Sequence, residues 1–210
     1  VWLVMSVSGV FLASVELFMG ALAPFQVVKS VMVGGLFAFL LFILNFGGAD
    51  VKAMISISLL FPAFPNLSAF NLRLPVMQVP LLDIFVLSML TNGLLIALVS
   101  PLSLFFYNLY RRTFSPLMFL GYTVELPLLR RKKNFKLMHE LEEEGSEIKK
   151  RYIWGGIEPT EEVLSRLEEL DRNKRINEVW ITPELPFIVY LTAGFFTAAF
   201  YGDFISTLFF

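Results

Sequence analysis

Long apolar runs broken by short polar turns fill the first half of the chain, and a highly charged stretch separates them from one last apolar run. A membrane-spanning helix needs roughly 20 mostly apolar residues. The runs 1–23, 27–46 and 82–109 reach that length, with Pro24 marking the turn between the first two. Residues 53–64 are fewer, but extended back through 47–52 they span most of a bilayer, and 187–210 closes the chain. The pattern predicts an all-α polytopic membrane protein with about five transmembrane helices. Helices 1–4 fall in 1–110, a small cytoplasmic α-rich insert in 111–185 and the C-terminal membrane helix in 186–210.

Within the insert, the Lys- and Glu-rich stretch 136–151 predicts a helix that breaks at Gly155-Gly156. A second helix is predicted over 159–170. Pro159 stands near its first turn, Glu161 and Glu162 lie where the helix dipole favours acids, and Val163, Leu164, Leu167 and Leu170 form one apolar stripe. So few large apolar groups predict a small core that leans on the membrane part.

Composition agrees with the pattern: 56% of residues are hydrophobic, and the mean hydropathy is +0.69. The near-neutral net charge of −1 conceals a division, because all the lysines and arginines except Lys29, Lys52 and Arg73 lie between Arg111 and Arg175. Arg111 and Arg112 stop the fourth span, and Arg130, Arg131, Lys132, Lys133 and Lys136 follow, so that end is expected in the cytoplasm. Counting back two crossings brings Asp50 to the same face. The basic residues are interleaved with as many acids, which argues against a nucleic-acid partner. With no cysteine there is neither a disulfide framework nor a thiolate-bound metal. The single histidine, His139, reads as a solvated surface residue. No metal or other cofactor is expected.

The candidate chemistry is at Asp50, in the run Gly47-Gly48-Ala49-Asp50-Val51-Lys52. An acid among membrane helices carries a large free-energy penalty, so its default reading is a working group with a partner. Gly47 and Gly48 leave room for a substrate chain to approach. Lys52 is two residues on and points to another side of a helix, so it reads as a contact for lipid phosphate or substrate rather than an ion-pair partner. The competing reading makes Asp50 a cap for the helix beginning at Val51. Of the other acids, Asp83 reads as a cap or interface anchor. Asp203 is expected near the opposite face, about 25 Å along the last helix, and Glu16 toward the outer end of the first. Asn45 and Asn92 read as interhelical hydrogen-bonding residues, and the Phe-rich stretches as lipid-facing or core surface.

The Gly47–Lys52 run, between an apolar span and a shorter one, resembles the GxGD signature of the type IV prepilin and preflagellin peptidases, membrane aspartic proteases. Ala49 replaces the signature's second glycine. The insert leading into a last span through Asn177-Glu178-Val179-Trp180-Ile181-Thr182-Pro183-Glu184-Leu185-Pro186 is similar to the archaeal branch. The resemblance implies six spans in the full-length protein and a pair of aspartates, of which Asp50 is one. It also implies a location in the plasma membrane with the active site on the cytoplasmic side, peptidase activity alone, and pilin-like or archaellin precursor signal peptides as partners beside the lipid bilayer. Gly47, Gly48, Ala49 and Lys52 would support the site. The acidic stretch 140–147 reads as a solvated face, with contact to a basic leader as the alternative. Because the chain opens on Val1-Trp2-Leu3-Val4 without an initiator methionine, an upstream segment carrying the first aspartate is expected, and the chain by itself is expected to be inactive. Two rival readings stay open: a presenilin-like or signal-peptide-peptidase-like intramembrane protease, and a non-enzymatic transporter or assembly protein.

Overall fold

The structure is a computed structural model, and it describes residues 1–210 apart from 66, 70, 71, 78–81, 145, 146, 174 and 210. In chain order its elements are α1 (Trp2–Phe18), α2 (Pro24–Ile43), α3 (Gly48–Leu60), β1 (Leu67–Ala69), β2 (Leu72–Leu74), α4 (Phe85–Ala97), α5 (Val99–Tyr110) and a 3-10 turn (Pro116–Phe119). Then come β3 (Tyr122–Glu125), α6 (Leu126–Leu129), β4 (Phe135–Glu144), β5 (Glu147–Ile157), α7 (Glu161–Arg172), β6 (Glu178–Pro183), α8 (Phe187–Phe200) and α9 (Phe204–Phe209). They divide into a helical unit, Val1–Leu98 with Pro186–Phe210, and a second unit, Val99–Leu185. The protein is mostly helical and compatible with a membrane protein. Two segments, Pro24–Ile43 and Phe85–Tyr110, are long and apolar enough to cross a bilayer; α1 and α8 are shorter.

The helices of the first unit meet through small residues. A Cβ at Gly9 of α1 would lie 2.8 Å from the Leu59 carbonyl carbon of α3, and one at Gly194 of α8 only 2.2 Å from the Met89 carbonyl oxygen of α4. Backbones this close leave space for hydroxyls to bond across helices. The Ser6 and Ser56 hydroxyls are 2.9 Å apart, and the Ser30 hydroxyl donates to the Ser58 carbonyl at 3.0 Å. Close backbones joined by hydroxyls are how helices associate where the solvent is as apolar as their side chains. An aromatic group completes the core: Phe85, fully buried, packs against Phe61, Phe64 and Phe195 with ring centroids 5.1 to 5.4 Å away.

Three expectations for this unit need correction. The last apolar run is not one helix, because α8 stops at Phe200 and Gly202 turns with φ 119° before α9. Asn92, fully buried on α4, fixes that turn by donating to the Gly202 carbonyl (2.9 Å) and accepting from the Phe204 amide (3.0 Å). Asn45 is exposed at φ 61° in the turn after α2, a conformation Asn tolerates, so it serves the turn rather than a helix interface. Asp83 does not cap α4, whose N-cap is Ile84. Its Oδ1 accepts from the Phe64 amide at 3.0 Å and holds the chain that leaves α3.

The second unit overturns the α-rich expectation for the insert. It contains an antiparallel four-stranded sheet in the order β3-β6-β4-β5. Residues 136–144 belong to β4 and 147–151 to β5, paired so that Glu140 stands opposite Arg151 and His139 opposite Tyr152. The composition favours a helix, but cross-strand pairing decides the outcome, since opposite charges and ring contacts between facing positions stabilise a ladder. The hairpin is irregular between Leu137 and His139, so that Leu137 faces Ile157 and the Gly155-Gly156 pair, both at positive φ, is bulged out. The predicted second helix is present as α7, with the Thr160 hydroxyl accepting from the Val163 amide and Leu167 and Leu170 buried. This unit has a core of its own, in which Val124, Leu126, Leu129, Phe135, Leu137 and Ile181 meet the α7 leucines.

Candidate functional site

Asp50 lies in the first turn of α3, which begins at Gly48 behind the N-cap Gly47. Residues 47–49 are exposed, whereas Asp50 is only 4% exposed. The Asp50 amide donates to the Gly47 carbonyl at 2.9 Å, and the Asp50 Oδ2 lies close beside Gly47. That places the carboxylate where the acid of a capping box stands. This position does not satisfy the carboxylate: Oδ1 is buried and without a hydrogen-bond partner among the described residues. A buried acceptor left unpaired forgoes about 1–3 kcal/mol and more for a charged group, so such atoms call for an explanation.

Space is distributed unevenly around this acid. A Cβ at Gly47 would stand 3.2 Å from Asp50 Oδ2, whereas one at Gly48 would meet nothing within 4 Å. The first glycine lets the carboxylate settle over the helix start, and the second leaves the approach open. Lys52 is exposed and makes no ion pair with Asp50 among the described residues. Ala53 and Ile57 continue the Asp50 face along α3 at helical spacing. Both line an apolar cavity of about 220 Å³ together with Trp2, Met5, Leu191 and Phe195.

The other acids of the helical unit are engaged differently. Asp203 is buried, with Oδ1 accepting from the Ser206 amide at 2.6 Å and Oδ2 from the Thr91 hydroxyl at 3.4 Å, and so caps α9. Asp83 is engaged with Phe64, and Glu16 is exposed. His139 is half-buried rather than solvated, its ring set edge-on to Tyr152 with centroids 6.0 Å apart. No group of three or more potential metal ligands converges among the described residues. The run 177–186 contains β6 (Glu178–Pro183) and ends on Pro186, the N-cap of α8. The side chains of 141–144, 147 and 148, most of the predicted acidic face, lie outside the described residues.

Comparison with known proteins bears on the same two regions. Residues 115–204 match the family model described as Archaeal Peptidase A24 C-terminus Type II. Over 97% of the chain, and 84% of the relative's length, the sequence is 25% identical to a preflagellin peptidase of Methanococcus voltae. The first match defines a peptidase class. Both matches support an archaeal prepilin/preflagellin peptidase.

Proposed function

We propose that the protein is a multi-pass membrane endopeptidase of the aspartic type that removes the short leader from preflagellin or pilin-like precursors at the cytoplasmic face, with Asp50 as one of its two working carboxylates. The observation that supports this reading is the buried Asp50 Oδ1 with no hydrogen-bond partner, at the start of a helix whose outer side, at Gly48, is open. A buried carboxylate oxygen without a partner calls for a function beyond the helix start.

In this mechanism Asp50 works with a second carboxylate. Two such groups at close range do not both ionise, so one stays protonated while the other takes a proton from water as that water attacks the scissile carbonyl. Asp83 and Asp203 are engaged with backbone amides and are not proposed as the partner. Gly47 and Gly48 keep room around Asp50, Ala49 adds little bulk, and Lys52, exposed in the next turn, meets lipid phosphate or substrate. The membrane parts are 1–110 and 186–210, and 111–185 is the cytoplasmic insert.

The test is precursor processing by the full-length protein in membranes. Asp50→Asn preserves size and removes the base, so it should abolish leader removal while insertion and folding persist. Asp203→Asn should retain processing. Normal leader removal by Asp50→Asn would refute the assignment.

A further inference from the structure

At the end of α5 the chain gathers aromatic rings and cations on one surface of the second unit. The Arg111 guanidinium sits 5.8 Å from the centre of the Tyr107 ring and donates to the Tyr107 hydroxyl at 3.1 Å. Tyr107 meets Tyr122 of β3 edge-on at 5.6 Å, and the Lys132 ammonium stands 5.5 Å from the Tyr122 ring centre. Two stacked contacts and one ring pair therefore bring together cations 21 positions apart in sequence. Arg112 adjoins Arg111, Arg131 and Lys133 flank Lys132, and all five are exposed. Two acids, Glu125 and Glu178, lie close enough to act on Arg111, so the patch keeps an excess of positive charge. Beside it large rings are turned outward: Phe106 is 62% exposed, Phe114 72% and Tyr110 89%.

We propose that this patch is a binding surface for anionic phospholipid headgroups, with Arg111 and Lys132 on the phosphodiester and Phe106, Tyr110 and Phe114 in the acyl–headgroup boundary. Tyrosine and other aromatic rings favour that boundary, where one end of the ring is apolar and the other wet, and clustered basic side chains favour an anionic leaflet. The rings fix the cations in place, and so less side-chain freedom is lost on binding. A partner protein would cover the rings but has no need of cations aligned with them, and a free anion has no need of the rings.

The proposal rests on the reading of the chain as a membrane protein, which carbonate extraction of membranes tests separately: loss of the full-length protein to the supernatant would refute that reading rather than the patch. For the patch, full-length protein in neutral detergent is titrated with dioctanoyl-phosphatidylglycerol, dioctanoyl-phosphatidylcholine and glycerol 3-phosphate, and retention is read by native mass spectrometry. Phosphatidylglycerol should be retained preferentially, and the preference should fall as salt rises. Arg111→Gln with Lys132→Gln should weaken it by roughly fivefold for each cation removed, whereas Arg111→Lys with Lys132→Arg should preserve it and controls for folding. Equal retention of the two lipids, unchanged preference in the Gln variant, or loss of preference in the charge-preserving variant would overturn the proposal. Glycerol 3-phosphate binding as tightly as phosphatidylglycerol would do so too, by showing a plain anion site.

Discussion

The two units of this protein differ in the polar groups they bury and the apolar groups they expose. In the helical unit Ser30, Ser56, Asn92 and Asp50 are inside, while Phe18 is 94% and Phe25 73% exposed. In the sheet unit Ile181, Leu129 and Leu137 are inside, and the ion pairs Arg130–Glu161 and Lys136–Glu184 are at the surface. The difference teaches which force holds each unit. Burial of apolar area stabilises the sheet unit against water. The helical unit presents the kind of surface a bilayer covers, and there apolar burial gives little advantage; close backbone contact and interhelical hydrogen bonds hold the helices together. A buried acid means something different in each setting. Among helices already joined by serine and asparagine bonds, Asp50 is the carboxylate with an oxygen left over.

The sharpest way to break this comparison is at the α4–α8 crossing. Gly194→Leu would drive a side chain into the Met89 carbonyl and the Gly93 backbone, which lie 2.2 and 2.6 Å from where its Cβ would sit. Backbone on both sides cannot yield as a flexible side chain does. The expected outcome is loss of folded helical unit in detergent, an effect above the usual 1–3 kcal/mol of overpacking. Unchanged thermal unfolding of this variant would show that the crossing is looser than drawn.

A large-to-small change should do to the sheet unit what a small-to-large change does to the helical one. Ile181 is fully buried at the centre of the sheet core. Ile181→Ala should destabilise that unit by about 2–5 kcal/mol, read as faster hydrogen exchange at the amides of β3 and β6. An effect under about 1 kcal/mol would mean that the core collapses onto the vacancy.

Asn92→Leu is the converse test, because it adds apolar volume where apolar volume is expected to be of no help. It leaves the Gly202 carbonyl and the Phe204 amide without partners. Destabilisation of about 2 kcal/mol is expected from the two orphaned groups, visible as earlier proteolysis after α8. If Leu stabilised the unit instead, hydrophobic burial would be the dominant force on both sides of the comparison.

How much of this could be read from the sequence follows the same division. The apolar runs located α1, α2, α4 and α8 because helices facing an apolar solvent are written in composition alone. Their ends were less legible: Gly202 and Asp203 break the last run through contacts with Thr91 and Asn92, more than a hundred residues away. The β4–β5 hairpin was misread because Lys and Glu favour helices locally, while the facing of Glu140 with Arg151 and of His139 with Tyr152 is a non-local fact. Asp50 stood out because an acid beside glycines between apolar runs is rare. That one of its oxygens lies beside Gly47 while the other is buried and unpaired among the described residues is a matter of geometry. The Tyr107–Tyr122 contact that unites Arg111 with Lys132 had a faint signal, aromatics flanking basic residues, without any indication that they meet.

The smallest effect is expected where charge alone is involved. The Arg130 guanidinium hydrogen-bonds both Glu168 and Glu161, and its bond to Glu168 holds that carboxyl below the usual glutamate range. A carboxyl group lowered on folding contributes stability that is present above its unfolded pKa and is lost as pH falls through the lower folded value. Arg130 and Glu161 are solvent-exposed and Glu168 is half-buried at the surface, so water and salt screen the pairs, and pairs of this kind are commonly worth little. Glu168→Gln should therefore lower the stability of the sheet unit only slightly at pH 7, and less still in high salt. The gap between variant and parent should close as the pH falls through the lowered folded value of Glu168, because the parent's own carboxyl is then protonated. Urea unfolding followed at several pH values measures that gap. A difference that persisted or widened at low pH would show that Glu168 acts through packing on α7 rather than through its charge, and that the sheet unit depends on its polar surface more than its buried core implies.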